Sequence, residues 1–327
     1  MLNFQCLTFY FILSKKVGTI IAYIFSRGET VKKFEDILVS AKNKGLKKIA
    51  VAFAQDEDVL KAIKAAVNAG ICVPILVGDK EKIEEISKEV DFVLEDIEII
   101  DEKDGNLAAR KAVELVSSGK ADVVMKGLID TSIILKAVLD KEIGLRTGNT
   151  LSHAAVFAIE KYHKLLLITD AAMNIAPDAE EKRQILENSL RVTRSLGIEN
   201  PKVAVVCAKE KVSSKMQATV DAQELVQMQK DGKITGCIVE GPFGLDNAIS
   251  KEAAELKGVH GAVAGDADIL LMPNIEAGNV LYKALTYFSD SENAGIILGA
   301  KAPIVLTSRA DSDVAKLNSI ALAVLCS

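Results

Sequence analysis

The 327-residue chain has no tryptophan, 5% aromatic residues and three histidines. Its five cysteines lie far apart in the sequence, without a CxxC pair or a cluster of cysteine and histidine. These absences argue against a disulfide framework and against a structural zinc site. Three of the cysteines lie in or beside apolar runs, which is typical of reduced, buried thiols. A reducing cytoplasm therefore fits best.

The chain also lacks a cationic stripe. Its 40 Lys and Arg residues against 45 Asp and Glu give a net charge of −5, and the basic residues are scattered without interleaved aromatic residues. Nucleic acid is therefore not an expected partner.

The first 30 residues differ from the rest of the chain. Two apolar runs, 4–13 and 17–25, are interrupted by Ser14, Lys15 and Lys16. Neither run reaches the roughly 20 apolar residues of a membrane span. A membrane anchor is the alternative, but we interpret residues 1–30 as a non-native or disordered extension. We expect the natural protein to begin at or near Val31.

From Phe34 onward, amphipathic helical patterns alternate with short apolar strands, which indicates an α/β protein with a mainly parallel sheet. Two strands, around 154–160 and 164–170, are close enough in sequence to form an antiparallel pair. The length allows two domains, because single cores rarely grow past about 250–300 residues. We expect residues 31–147 plus about 300–327 to form the first domain and residues 148–299 to form the second.

Several catalytic signatures are missing. The sequence contains neither the GxxxxGK[ST] phosphate loop nor the GxGxxG fingerprint, which argues against nucleotide hydrolysis and a standard dinucleotide site. GxSxG is also absent, and no Ser/His/Asp set can be assembled from three histidines, so covalent acyl-enzyme chemistry has little support. His163 and His260 are expected at the surface.

Polar residues follow the apolar strands, at the positions where ligands gather in open α/β sheets. They are Lys126, Asp170, Glu240, Asn274, Ser308 and Arg309. We expect them to converge, although Asp170, Asn274 and Ser308 could equally serve as helix caps.

Two further segments favour anion binding. Lys126 precedes Thr131 at a predicted helix start, where free backbone N–H groups attract negative charge. Between the predicted domains, the segment "GLRTGNTLSH" carries Arg146, Ser152 and His153. Arg146 suits an oxyanion, with a surface linker arginine as the alternative.

The chain resembles the phosphate acetyltransferase/butyryltransferase family, and most closely its butyryl branch, from about Phe34 to Leu325. The segments that carry the resemblance are "KGLIDTSIILKAVLDKEIGLRTG", "LSHAAVF", "LLLITDAAMN", "EGPFGLDNAIS", "AGDADILLMPNIEAGNVLYKALTYF" and "TSRADS". The resemblance implies two three-layer α/β domains with an interdomain cleft, related in architecture to isocitrate and isopropylmalate dehydrogenases. It also implies a homodimer or a higher homo-oligomer.

The reaction implied by the family is reversible acyl transfer, in which acyl-CoA and inorganic phosphate give acyl phosphate and CoA by direct attack in a ternary complex. CoA thioester and phosphate are then substrates, and no bound cofactor or metal is expected. The resemblance assigns phosphate to Arg309 and Arg146, and it assigns Ser308 to the CoA sulfur or the developing oxyanion.

One position departs from the family. Acetyl-specific relatives are expected to carry an Asp base seven positions after the serine, where this chain has Ala315. Asp311 is the nearest catalytic substitute, with a role as the cap of the last helix as the alternative. The candidates for phosphate and CoA binding are Arg146, Lys126, Thr131, Ser152, His153, Asp246, Asn247, Asn274, Asn279 and Lys283.

Three alternatives stay open at this point: a phosphate acetyltransferase, a non-catalytic acyl-CoA sensor, and a dehydrogenase of the related fold. The chain carries Ser308 and Arg309, and we expect no appended catalytic domain, which favours an enzyme over a sensor. A dehydrogenase would need a carboxylate cluster for a divalent metal, and the predicted strand ends do not supply one.

Overall fold

The computed structural model describes residues 33–307 and 311–327. The predicted N-terminal extension and the candidate residues Ser308 and Arg309 lie outside the described residues. Helices and strands alternate through the described ranges, as the sequence predicts. None of these helices is long and apolar enough to cross a membrane.

The strands are numbered β1 to β11 in chain order. They are β1 (Lys47–Ala52), β2 (Cys72–Gly78), β3 (Glu98–Asp101), β4 (Val123–Lys126), β5 (Ser152–Ile159), β6 (Leu166–Thr169), β7 (Lys202–Val206), β8 (Ile238–Phe243), β9 (Ile269–Leu271), β10 (Ser291–Leu298) and β11 (Ile304–Val305).

The helices are numbered in the same way. They are α1 (Phe34–Lys44), α2 (Glu57–Asn68), α3 (Lys80–Glu89), α4 (Gly105–Ser117), α5 (Thr131–Val138), α6 (Ala179–Ser195), α7 (Gln217–Lys230), α8 (Leu245–Ile249), α9 (Lys251–Leu256), α10 (Ile275–Phe288) and α11 (Asp313–Cys326).

Most of these helices begin where the sequence places an aspartate, asparagine or serine. Such side chains accept hydrogen bonds from the first free N–H groups of the helix. The residues that cap a helix in this way are Asp56, Asp79, Asp104, Asp178, Ser250, Asn274 and Ser312. Ser250 also separates α8 from α9.

The strands form one continuous sheet in the order β3-β2-β1-β4-β11-β10-β5-β6-β9-β7-β8. The sequence suggests two sheets that meet near residues 145–150, whereas the structure joins both sets of strands through β10. The pairings are mostly parallel, and β5 and β6 form the antiparallel pair that the sequence predicts. The division into two domains stays a prediction.

The two halves of the sheet run in opposite directions. β4 is parallel to β11, whereas β10 is antiparallel to both β11 and β5, and β5 is antiparallel to β6. β6 therefore runs opposite to β4, and so do β7, β8 and β9. The pairings nevertheless bring the carboxyl ends of the two sets to a similar level. Val124 and Ile304 lie in line with Ile297 and His153, and the end of β6 reaches the same level beside β5.

The two faces of the sheet differ in how their cores are built. On one face a single apolar core runs beneath α1, α2, α3, α6, α7 and α11. On the other face there are two cores, one beneath α4 and α5 and another beneath α8 and α10. The boundary between these two cores lies near His153 and Ile297, which are paired neighbours on β5 and β10.

A buried ion pair joins α6 to α7. The Lys182 ammonium and the Asp221 carboxylate are in contact, and both residues are at least 95% buried. Gln217 also donates to Asp221, over 2.8 Å. If Lys182 were removed, the buried Asp221 carboxylate would keep its charge but lose its cationic partner.

We predict that Lys182→Met lowers the free energy of unfolding by about 3–5 kcal/mol, since it strands a buried charge. Lys61→Met is the matched control, because Lys61 pairs with Glu57 at the surface. Denaturant unfolding measures both changes. Equal stability of Lys182→Met and wild type would show that the buried pair does not support this helix contact.

Candidate active site

A cleft of about 290 Å³ opens on the two-core face of the sheet, where the start of α5 and the middle of α10 face each other. Its lining combines apolar and polar side chains from both halves of the sheet. The lining residues are Thr131, His153, Ala171, Ala172, Met173, Asn279, Tyr282, Lys283, Ile297, Leu306, Thr307 and Asp311. A larger cavity, of about 680 Å³, lies beside the start of α1 and contains none of the predicted site residues.

His153 lines this cleft, and the pairing of β5 with β10 determines its surroundings. It is opposite Ile297 in the register and is only 7% exposed. Gly295 lies two residues before Ile297 on β10 and makes room for the imidazole. A Cβ at this position would lie 2.6 Å from His153 Nε2. Tyr282 contacts the ring edge-on, with 5.8 Å between the ring centroids.

Burial lowers the pKa of His153 below its ordinary value, and the negative charges of Asp170 and Asp311 oppose that shift. The imidazole is therefore neutral at neutral pH. Its Nδ1 atom is buried and has no hydrogen-bond partner among the described residues. A buried polar atom without a partner costs about 1–3 kcal/mol, so its presence in a cleft calls for a functional explanation.

Asp170, at the carboxyl end of β6, shapes one wall of the cleft. Its carboxylate accepts hydrogen bonds from the backbone N–H groups of Ala172 at 2.7 Å and Met173 at 3.0 Å. It also accepts from the side chain of Asn174. Asp170 thus holds the segment 171–173 against the cleft while its charge acts on His153.

Helix α10 approaches this segment closely. Asn274 caps the helix through the N–H of Ala277, as one of its two predicted roles anticipates. At Gly278 a Cβ would come within 2.2 Å of the Asp170 carbonyl oxygen, so only glycine permits this approach. The next residue, Asn279, donates to the Ala171 carbonyl over 3.1 Å.

The predicted residue Lys283 lies on the same helix. Its ammonium is 5.7 Å from the centre of the Tyr282 ring and 5.9 Å from that of Tyr287. It provides a positive charge at the cleft lining.

The opposite wall contains Thr131 at the start of α5, with Leu306, Thr307 and Asp311 around the end of β11. Ser312, rather than Asp311, caps α11, since its hydroxyl accepts from the Ala315 N–H at 3.1 Å. Asp311 therefore lies ahead of the helix, beside the cleft. Burial raises the pKa of Tyr282, and the nearby Asp311 charge raises it further.

Ser152 lies on the other face of the sheet from His153. It is fully buried, and its hydroxyl accepts a hydrogen bond from Asn188 on α6 at 2.8 Å. Adjacent residues of a strand point to opposite faces, so Ser152 and His153 could not both face the cleft.

Lys126 ends β4 and borders a separate small cavity next to the cleft. Its ammonium donates to the carbonyl groups of Gly127 at 3.1 Å and Ile129 at 3.2 Å. Thr307 lines both cavities, and Lys316, buried against Asp58, lines the smaller one.

Four other predicted residues lie away from the cleft lining. Arg146 is exposed on the connection between α5 and β5. Asp246 pairs with Lys257 at 2.9 Å, and the buried Asn247 donates to Glu210 at 2.8 Å. Glu240 lies within β8, where its carboxylate accepts from two backbone N–H groups, those of Ala262 and Val263.

Tyr282, Met173 and Gly295 are not among the site residues predicted from the sequence. A signal for Tyr282 existed, because it follows Asn279 by three residues and side chains three apart share one face of a helix. Met173 and Gly295 have no such signal, since their roles depend on the pairing of β5 with β10 and on the approach of α10.

Comparison with known proteins agrees with this architecture. The sequence profile of the phosphate acetyl/butaryl transferase family matches residues 33–109 and 102–324. The chain therefore belongs to this family. It is 55% identical to a phosphate butyryltransferase from Clostridium acetobutylicum over 295 residues, which cover 90% of this chain and 98% of that protein. A phosphate acetyltransferase from Thermotoga maritima is 46% identical over 88% of this chain and 97% of its own length.

Two solved structures are also similar. A branched-chain phosphotransacylase from Enterococcus faecalis V583 matches with a TM-score of 0.76 and 34% identity, over 86% of this chain and 98% of that one. A 4-hydroxythreonine-4-phosphate dehydrogenase from Klebsiella pneumoniae matches with a TM-score of 0.57 and 14% identity, over 86% of this chain and 100% of that one. The second similarity concerns the fold alone and supports the dehydrogenase-like architecture that the sequence implies.

We predict that Gly295→Ala lowers the free energy of unfolding by about 1–3 kcal/mol, because the added methyl group overlaps the His153 ring. The cost should fall sharply in the His153→Ala background, where the ring is absent. Denaturant unfolding of the two single variants and the double variant measures this coupling. Additive effects would show that the glycine does not make room for the imidazole.

Proposed function

We propose that this protein is a phosphate butyryltransferase, which converts butyryl-CoA and inorganic phosphate reversibly into butyryl phosphate and CoA. The observation that carries the proposal is the 55% identity with the Clostridium acetobutylicum enzyme over nearly the whole of both chains. Phosphate attacks the thioester directly in a ternary complex, and CoA thioester is a substrate rather than a bound cofactor.

Ser308 and Arg309 keep the roles that the family resemblance gives them. Phosphate is an anion that must lose water and approach a carbonyl carbon, and a guanidinium can hold it through two parallel hydrogen bonds. Arg309 and Arg146 are the proposed phosphate ligands. Ser308 is the proposed donor to the CoA sulfur or to the oxyanion of the tetrahedral transition state.

The composition of the cleft supports an acyl substrate. Met173, Ile297 and Leu306 form an apolar surface suited to a short hydrocarbon chain, while Thr131 and Lys283 offer polar contacts nearby. Polar groups that orient a ligand within a largely apolar lining are typical of small-molecule sites. We assign the acyl chain to the apolar side and the phosphate and CoA thiol to the polar side.

Other parts of the proposal come from the sequence pattern, from the cysteine usage and, for the assembly, from the family. They are the division into domains 31–147 plus about 300–327 and 148–299, assembly as a homodimer or higher homo-oligomer, and a cytoplasmic location. Asp246, Asn247, Asn274 and Asn279 remain proposed contributors to CoA binding, either directly or by shaping the surrounding loops.

Phosphate acetyltransferase is the second candidate, because the Thermotoga maritima relative with that activity is 46% identical. A non-catalytic acyl-CoA sensor is the third. Thiol release from butyryl-CoA, acetyl-CoA and isobutyryl-CoA, each with and without phosphate, separates all three.

We expect phosphate-dependent thiol release that is fastest with butyryl-CoA. Arg309→Ala should reduce it by about 100-fold or more, the scale of losing one positioned charge donor. Arg183→Ala is the matched control, because Arg183 pairs with Glu180 and Glu187 on α6. Fastest release from acetyl-CoA would favour the acetyltransferase, and CoA binding without release would favour the sensor.

Leu306→Phe should shift acyl preference toward acetyl-CoA, because the larger ring occupies space that we assign to the butyryl chain. Removing room for two methylenes is expected to change the ratio of kcat/KM for the two substrates by about 10-fold or more. Leu256→Phe on the exposed face of α9 is the control, since Leu256 is 82% exposed. An unchanged ratio in Leu306→Phe would place the acyl chain elsewhere.

A further inference from the structure

The reaction proposed above must move one proton, and the described residues contain a group suited to carry it. Thiol attack on butyryl phosphate requires removal of the thiol proton, and the departing phosphate must receive one. Position 315, where acetyl-specific relatives are expected to carry a base, is a buried alanine at the start of α11. A different group must therefore accept the thiol proton in this chain.

We propose that His153 is this group and that it carries the proton between the CoA sulfur and the phosphate oxygen. The inference rests on the proposed phosphate acyltransfer. Three structural observations support it: the imidazole lines the cleft, Nδ1 has no partner among the described residues, and Nε2 lies against Gly295. The imidazole therefore borders the cleft with hydrogen-bonding capacity that no described residue uses.

The charges around the ring suit a base that becomes cationic only during turnover. Among the described residues, Asp170 faces His153 from the end of β6 and Asp311 faces it from the approach to α11. Tyr282 and Lys283 line the same cleft from α10. Burial keeps the imidazole neutral at rest by lowering its pKa, and the two carboxylates stabilise the imidazolium once it forms.

The proton balance closes without another reactant. In the direction of butyryl-CoA synthesis, the imidazole takes the thiol proton, and the sulfur forms a bond to the acyl carbon. The bond from that carbon to the phosphate oxygen then breaks, and the imidazolium returns the proton to the departing phosphate. In the opposite direction the imidazole accepts a proton from hydrogen phosphate as it attacks and donates it to the leaving thiolate.

Asp311 is less suited to this task alone. A carboxylate is in general a weaker base than an imidazole, so an imidazole is the better acceptor for a thiol proton. Proton transfer is most effective when the pKa of the catalyst lies near the working pH. We therefore assign Asp311 a positioning role that acts through the charge of His153.

The test measures kcat in both directions as a function of pH, together with the Kd of CoA by calorimetry. His153→Asn should lower kcat by about 100-fold or more in both directions and remove the decline at acidic pH that protonation of His153 causes. The Kd should change little. His163→Asn is the matched control, because His163 is an exposed histidine paired with Asp266.

Two further variants keep the test decisive if His153→Asn does not fold. Added imidazole should restore activity to His153→Ala, and it should not do so in Arg309→Ala. Asp311→Asn should move the acidic decline to lower pH, because the lost negative charge no longer stabilises the imidazolium.

Wild-type kcat and an unchanged acidic decline in His153→Asn would overturn the inference. So would an acidic decline that stays at the same pH in Asp311→Asn. Failure of the proposed function is a distinct result, since wild type would then show no phosphate-dependent thiol release from any acyl-CoA.

Discussion

The antiparallel pairing of β5 with β10 is the interaction on which the site depends. Its register runs from Ser291 opposite Ile159 to Leu298 opposite Ser152, and it joins two halves of a sheet whose strands run in opposite directions. The same register places His153 beside Ile297 and above Gly295. A shift by one residue would turn His153 to the other face and leave the cleft without its imidazole.

Much of the secondary structure could be predicted from the sequence. Helices begin at Asp56, Asp79 and Asp104, which precede amphipathic stretches, and the short apolar runs between helices form the strands. The antiparallel pair β5 and β6 was also predictable from the short connection between its strands. These features are local, because residues close together in the sequence determine where a helix begins and where a strand forms.

The position of the site depends on long-range pairing and was harder to predict. The ends of β6 and β11 meet at the cleft although these strands run in opposite directions, because β5 and β10 lie between them and set the register of the two halves. Asn274 and Glu240 instead bind nearby backbone groups. By contrast, the placement of Ser152 and His153 on opposite faces follows from strand alternation and could have been deduced from the sequence.

The central claim is that the CoA sulfur and the acyl group meet in the cleft around His153. A crystal structure of the protein with bound butyryl-CoA tests it most directly. We predict that the sulfur lies within hydrogen-bond reach of the His153 imidazole and that the butyryl chain lies against Leu306. A sulfur bound outside this cleft, for example in the cavity beside Glu240 and His260, would contradict it.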